Sequence, residues 1–185
     1  MRHAMRVAGK RLQPGSAFRS GGFSLLELMI TVAVAAILMA LAVPSFTSLI
    51  NNNRLTSGSN ALVTAMHHAR SEAVRRNARV TLCASADGAT CAGTGNWQGW
   101  VTLVTTGGEV LRTYALKAPL QGASATQRVD FRPDGLARDA AGNLLAGTFT
   151  VCIATTRPAE NQRVVSVASG SRVSTASANG AGACP

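Results

Sequence analysis

FSLLELMITVAVAAILMALAVPSFTSLI, residues 23–50, is a run of 28 residues with one charge, that of Glu27. As a helix it would reach about 42 Å at 1.5 Å per residue, more than the roughly 30 Å hydrocarbon layer of a bilayer. A soluble core helix alternates in polarity around its axis. This run is apolar on all sides and follows a basic flank, so it reads as membrane-inserted. A conventional secretory signal fits less well, because such apolar regions run to about 7–15 residues and the small pair Gly21–Gly22 stands before the run. An unpaired carboxylate in hydrocarbon is costly, so Glu27 calls for a nearby cation or donor. A cut between Gly22 and Phe23 would create an ammonium four residues before it, and an adjacent subunit could supply another. Pro44 lacks an N–H and crowds the preceding turn, which predicts a bend. Thr47, Ser48, Asn51, Asn52 and Asn53 beyond it favour local opening.

The flank explains much of the charge. The 185 residues include 18 Lys or Arg and 8 Asp or Glu, a formal +10. Arg2, Arg6, Lys10, Arg11 and Arg19 all precede Phe23, and without them 13 basic residues face 8 acidic ones, or +5. The total therefore overstates any nucleic-acid footprint. A 46% apolar content excludes a mainly disordered chain, while only 4% aromatic residues imply a small aliphatic core. The sequence carries no P-loop, dinucleotide fingerprint, zincin motif, EF-hand or solenoid repeat.

Past the asparagines the pattern becomes amphipathic. Leu62, Met66, Ala69, Ala73 and Val80 share one stripe, with Val80 at the border of the next strand, and Glu72 can meet Arg75 and Arg76 one turn on. One long helix ending near Asn77 is expected, with Ala65, Ala69 and Ala73 allowing close approach to a sheet. Strands are expected at 79–85, 100–104, 110–116, 127–131, 148–155 and 163–168. Thr105–Gly108 reads as a hairpin turn and FRPDGLA as a turn using a positive φ at Gly135. One long helix followed by many short strands gives an α+β class: a transmembrane and amphipathic helix packed on a small antiparallel two-sheet β domain. His67 and His68 point about 100° apart and lack metal-ligand spacing, and His3 lies in the basic flank. Trp97 and Trp100 read as core anchors in a domain with few aromatics, with peptide binding as the alternative. No nucleophile and base constellation, catalytic acid pair, metal site or cofactor motif is visible, so no enzymatic activity is expected.

The block GGFSLLE, followed by the aliphatic run and Pro44, resembles the class III signal of type IV prepilins and pseudopilins. The resemblance implies that a membrane-embedded prepilin peptidase cleaves after Gly22 and methylates the amine of Phe23, that Glu27 guides subunit registration, and that Pro44 curves or locally melts the helix. An uncleaved signal anchor is the alternative. ARSEAVRRNARVTLC (69–83), NWQGW (96–100), FRPDGLA (131–137) and FTVC (149–152) resemble, in that order, segments of the GspH/FimT family of minor pilins and minor pseudopilins. The expected organisation is then a leader at 1–22, a transmembrane and filament-core helix at 23–50, its amphipathic continuation at 51–78 and a periplasmic β-rich head at 79–185. It implies a single pass through the inner membrane of a Gram-negative bacterium, a pilin-like fold, and three partners: the prepilin peptidase, other minor and major pilins, and an inner-membrane assembly platform. The leading expectation is a minor pilin that primes or caps a type IV pilus. The alternatives are a minor pseudopilin of type II secretion and a DNA-binding minor pilin. The family's DNA-contacting GRxR motif has only a partial match here, Gly170-Ser171-Arg172-Val173-Ser174, leaving Arg157, Arg163 and Arg172 as candidate phosphate contacts, with Arg128, Arg132 or Arg138 if the fold gathers them.

Cys83, Cys91, Cys152 and Cys184 all follow the apolar run, on the side where an oxidising compartment permits disulfides. Four cysteines allow three pairings. Cys83 with Cys91 would staple a Gly/Ala-rich loop, and Cys152 with Cys184 would tie a flexible tail to a core strand; this is the favoured pairing.

Overall fold

The computed structural model describes residues 22–185, apart from the side chains of Leu41 and Pro44, so the leader expected at 1–22 lies, but for Gly22, outside the described residues. Ser24 starts the first helix. Its Oγ accepts the N–H of Glu27 at 3.1 Å, satisfying one of the free donors of the first turn. Helix α1 then runs Leu25–Arg76, with a helical backbone through Pro44. Its end follows from Asn77, which takes a left-handed φ of 48°. The N–H of Asn77 reaches Val74 O at 3.3 Å and that of Ala78 reaches Ala73 O at 3.2 Å, closing the last turn. The chain's contacts divide into two units, the first ending at Ala40 and the second running Leu41–Pro185.

Nine strands follow in the second unit: β1 Val80–Ala84, β2 Gly99–Val104, β3 Val110–Ala115, β4 Leu120–Ala123, β5 Arg128–Phe131, β6 Ala137–Arg138, β7 Gly147–Ile153, β8 Gln162–Val167 and β9 Val173–Ala178. They form two antiparallel sheets, ordered β3-β2-β1-β5-β6 and β4-β7-β8-β9. The β2–β3 hairpin turns where expected, and its two glycines have φ of 92° (Gly107) and 67° (Gly108), which residues with a Cβ adopt at a cost. FRPDGLA also turns, with Gly135 at φ 74° and Asp134 Oδ1 accepting the N–H of Leu136 at 2.9 Å. Three strands were not anticipated. β4 and β6 are short, and β9 replaces the flexible tail, since residues 173–178 pair along the whole of β8.

Burial follows the two periodicities. On α1, Leu55, Leu62, Met66, Ala69 and Ala73 recur at helical spacing and are all buried. They join Val80, Leu82, Trp100, Val129 and Phe131 of the first sheet and Phe149, Val151 and Val165 of the second in one core. A Cβ on Gly58 would stand 3.1–3.3 Å from Leu120, Val151 and Leu116, so the missing side chain lets helix and second sheet approach. The tryptophans are 1% (Trp97) and 2% (Trp100) exposed, which excludes them as exposed peptide anchors. Trp97 meets Phe149 edge to face at 4.8 Å and donates Nε1–H to Thr126 O at 2.8 Å. Such a buried indole needs that acceptor. Local opening after Pro44 is not observed at the asparagines. Asn51 Nδ2 donates to Arg157 O at 2.8 Å and Asn52 Oδ1 accepts from Arg163 Nη2 at 2.9 Å, so two residues read as soft fasten the helix to the head.

Candidate functional site

The N-terminal part of α1 has a core's composition without a core around it. Every described side chain from Phe23 to Ile50 is exposed except Ala35 and Ser48, which are half-buried. α1 is long and apolar enough to cross a membrane, and no residue of its apolar window is buried among the described residues. The hydroxyls in this stretch are satisfied locally: Thr31 Oγ1 donates to Leu28 O at 2.9 Å and Thr47 Oγ1 to Val43 O at 3.1 Å. The Glu27 carboxylate differs from them, because it has no hydrogen bond or ion pair among the described residues. Ser24 and Glu27 stand at capping-box spacing, S-x-x-E, a signal present in the sequence and missed there. Gly22 and Phe23 precede α1 in non-helical chain; Gly22 has open space around it and Phe23 is 79% exposed.

The end of α1 and the sheet beside it carry a set of ion pairs. Glu72 binds Arg75 through Nε at 3.0 Å and Nη2 at 2.6 Å, and Arg76 at 2.8 Å. These hydrogen bonds hold its carboxyl at about 2, below the ordinary carboxylate range. Arg76 also reaches Glu109 at 2.8 Å, fastening the helix end to the β2–β3 hairpin, a long-range tie invisible in sequence. Disulfides join Cys83 to Cys91 and Cys152 to Cys184, and among the described residues no cysteine is free. Within the first loop, Asp87 accepts the N–H groups of Thr90 and Ala89, each at 2.8 Å, and the hydroxyls of Thr90 and Ser85; the Thr90 backbone contributes most to lowering its pKa.

The three candidate phosphate-binding arginines are not brought together. Arg163, at the start of β8, spends its guanidinium on Glu160 O, Gln162 O and Asn52 Oδ1. Arg157 lies in the loop leading into that end of the strand. Arg172 precedes β9 at the other end of the hairpin, where Val173 pairs with Val167. Four residues of strand separate Arg163 from Val167, about 13 Å at the usual rise. Arg128, Arg132 and Arg138 sit on or beside β5 and β6 of the other sheet. His67 is exposed and His68 half-buried, and among the described residues no three His, Cys, Asp or Glu side chains gather as a metal site.

Comparison with protein families finds a match to the model described as "Type II transport protein GspH" over residues 58–171. A second match, described as "Prokaryotic N-terminal methylation motif", covers residues 18–43 and so includes the Gly22–Phe23 junction. Among solved structures, the type IV minor pilin FimU of Pseudomonas aeruginosa is similar in two crystal forms. One is 21% identical, covering 66% of this chain and 92% of that one with a TM-score of 0.48; the other is 22% identical, covering 66% and 88% with a TM-score of 0.49. The minor pseudopilin EpsH from the type 2 secretion system of Vibrio cholerae is 11% identical over 67% of this chain and 97% of that one, with a TM-score of 0.49. Comparison with curated protein sequences finds no match.

Proposed function

The chain belongs to the GspH family of type II transport proteins, and from that premise we propose that it is a minor pilin that primes or caps a type IV pilus. In this reading a prepilin peptidase removes residues 1–22 and methylates Phe23, leaving one pass through the inner membrane with the head in the periplasm. The observation that carries the proposal is the Glu27 carboxylate, without a partner among the described residues, on the stretch of α1 before Asn51 whose described apolar side chains are almost all exposed. In lipid that carboxylate is expensive. Beside the N-terminal ammonium of a neighbouring subunit it gains an ion pair in a low dielectric, so the move from bilayer to filament core becomes favourable and sets the register between helices. Pro44 eases that packing by interrupting the backbone ladder, and the β head supplies tip or adaptor contacts with other minor and major pilins and with the assembly platform.

Glu27→Gln tests this directly. Incorporation into filaments should fall at least tenfold while the far- and near-UV circular dichroism of the head stays unchanged; undiminished incorporation would refute the registration role. A second reading, a minor pseudopilin of type II secretion, is favoured by the description of the matching family. Crosslinking in the native membrane followed by identification of the neighbours separates the two, since pilus subunits answer for one and secretion subunits for the other.

A further inference from the structure

A polar cavity of about 170 Å³ opens beside β5 and β6, lined by Arg79, Asp130, Arg132, Arg138, Asp139 and the loop that follows. Its acids already have partners. Asp130 is buried, accepts from Thr81 Oγ1 at 2.7 Å and pairs with Arg128 Nη2 at 3.4 Å. Asp139 Oδ1 takes the N–H of Asn143 at 2.9 Å. The cations are less fully occupied. Arg138 donates Nη1 to Gly142 O at 3.2 Å and Nη2 to Asp134 at 3.3 Å, but its Nε is buried with no acceptor. Neither the Arg79 nor the Arg132 guanidinium has a hydrogen bond or ion pair among the described residues, and a Cβ placed on Gly142 would lie 3.5 Å from Arg132 Nη2, so that fork stands at the loop.

Buried donors without acceptors are rare, and the three guanidiniums lining this cavity outnumber the two carboxylates, Asp130 and Asp139, that line it with them. Counting Arg79, Arg128, Arg132 and Arg138 against Asp130, Asp134 and Asp139 leaves a single positive charge. We propose that this cavity is a binding site for one carboxylate, held by the forks of Arg79 and Arg132 with Arg138 Nε as the buried donor. Planar, singly charged carboxylates match guanidinium forks in geometry, and one of them balances the cluster. A phosphate dianion would leave excess negative charge beside Asp130 and Asp139. The carboxylate can belong to an acidic side chain of another protein or to a small free acid.

The test uses the full chain in detergent micelles with ¹⁵N-labelled arginine, following each Nε–H resonance at constant ionic strength during addition of sodium acetate, a blocked Gly-Asp-Gly peptide or inorganic phosphate. Saturable shifts are expected at Arg79, Arg132 and Arg138 but not at Arg157. Arg132→Gln should weaken binding at least tenfold, and Arg79→Gln gives the same reading should the first variant fail to fold. Tighter binding of the peptide than of acetate assigns the site to a protein side chain; equal affinity assigns it to a free acid. Absence of saturable shifts, survival of the shifts in both variants, or phosphate binding tighter than either carboxylate would overturn the proposal.

Discussion

Between Asn51 and Arg76 the side chains of Leu55, Leu62, Met66, Ala69 and Ala73 are buried, whereas between Leu25 and Ile50 Leu26, Met29, Ile37 and Leu38 are all more than half exposed. The same helix α1 carries both sets, and the exposed half is the more apolar. Hydrophobicity alone therefore does not decide burial within this chain. The later half alternates apolar and polar faces and meets two sheets; the earlier half is apolar all round and is matched to a surround of lipid or neighbouring helices. Polar groups divide in the same way. Asn51, Asn52 and Arg76 have partners in the head and Glu72 pairs with Arg75 and Arg76 one turn on, while Glu27 has none among the described residues.

The sharpest way to break this contrast is to truncate one leucine on each side of it. Leu62→Ala should destabilise the head by about 2–5 kcal/mol, the usual range for a core leucine. Leu38→Ala should leave the head's thermal midpoint in detergent unchanged. Equal shifts in the two variants would mean that the first half of α1 stabilises the head after all.

The disulfides test how the head is closed upon itself. The Cys152–Cys184 bridge spans 32 residues of sequence and Cys83–Cys91 spans 8. In the chain-entropy account the longer loop contributes about 4 kcal/mol and the shorter about 2.5 kcal/mol. Replacing Cys152 and Cys184 by Ala should therefore lower the unfolding midpoint further than the same change at Cys83 and Cys91. The reverse order would show that the short loop, with its Asp87 hydrogen bonds, does more than restrict the unfolded chain.

A smaller effect is expected at the helix start. Ser24→Ala removes the acceptor for Glu27 N–H and should cost about 1 kcal/mol locally. Hydrogen exchange in micelles should then quicken by about fivefold at the first α1 amides, with the head's exchange unchanged. Faster exchange at the head amides would contradict the separation of the two regions.

These elements were unequally legible. The apolar run, the stripe from Leu62 to Ala73 and the Gly107–Gly108 turn are local patterns, and each names its structure from a few neighbours. β4 and β9 are not of that kind. LQGA and VSTASA lack the alternation that marks a half-buried strand, and β9 is largely exposed, so pairing with β8 defines it rather than burial. The candidate site shows the same limit. Glu27 stands out as a lone charge in an apolar run, whereas the grouping of Arg79, Arg132 and Arg138 depends on β1, β5 and β6 lying side by side. Arg157, Arg163 and Arg172 look like a cluster in sequence, yet the length of β8 sets Arg172 apart from the other two. The Ser24 cap is legible in the sequence through its S-x-x-E spacing to Glu27.

Acid titration gives the finest version of the contrast, because the Glu72 and Asp87 carboxylates are held in their charged form. Hydrogen bonds from Thr90 and Ala89 backbone, then from the Thr90 and Ser85 hydroxyls, lower the Asp87 pKa, while an unfolded aspartate titrates near 3.9. A group whose folded pKa is depressed adds stability above its unfolded value and loses it as pH falls toward the folded one. Wild type should thus exceed Asp87→Asn in thermal midpoint at pH 5 and above, with the gap closing steadily below about pH 4. A gap that stayed constant from about pH 7 down to about pH 2 would show that these hydrogen bonds do not favour the charged carboxylate.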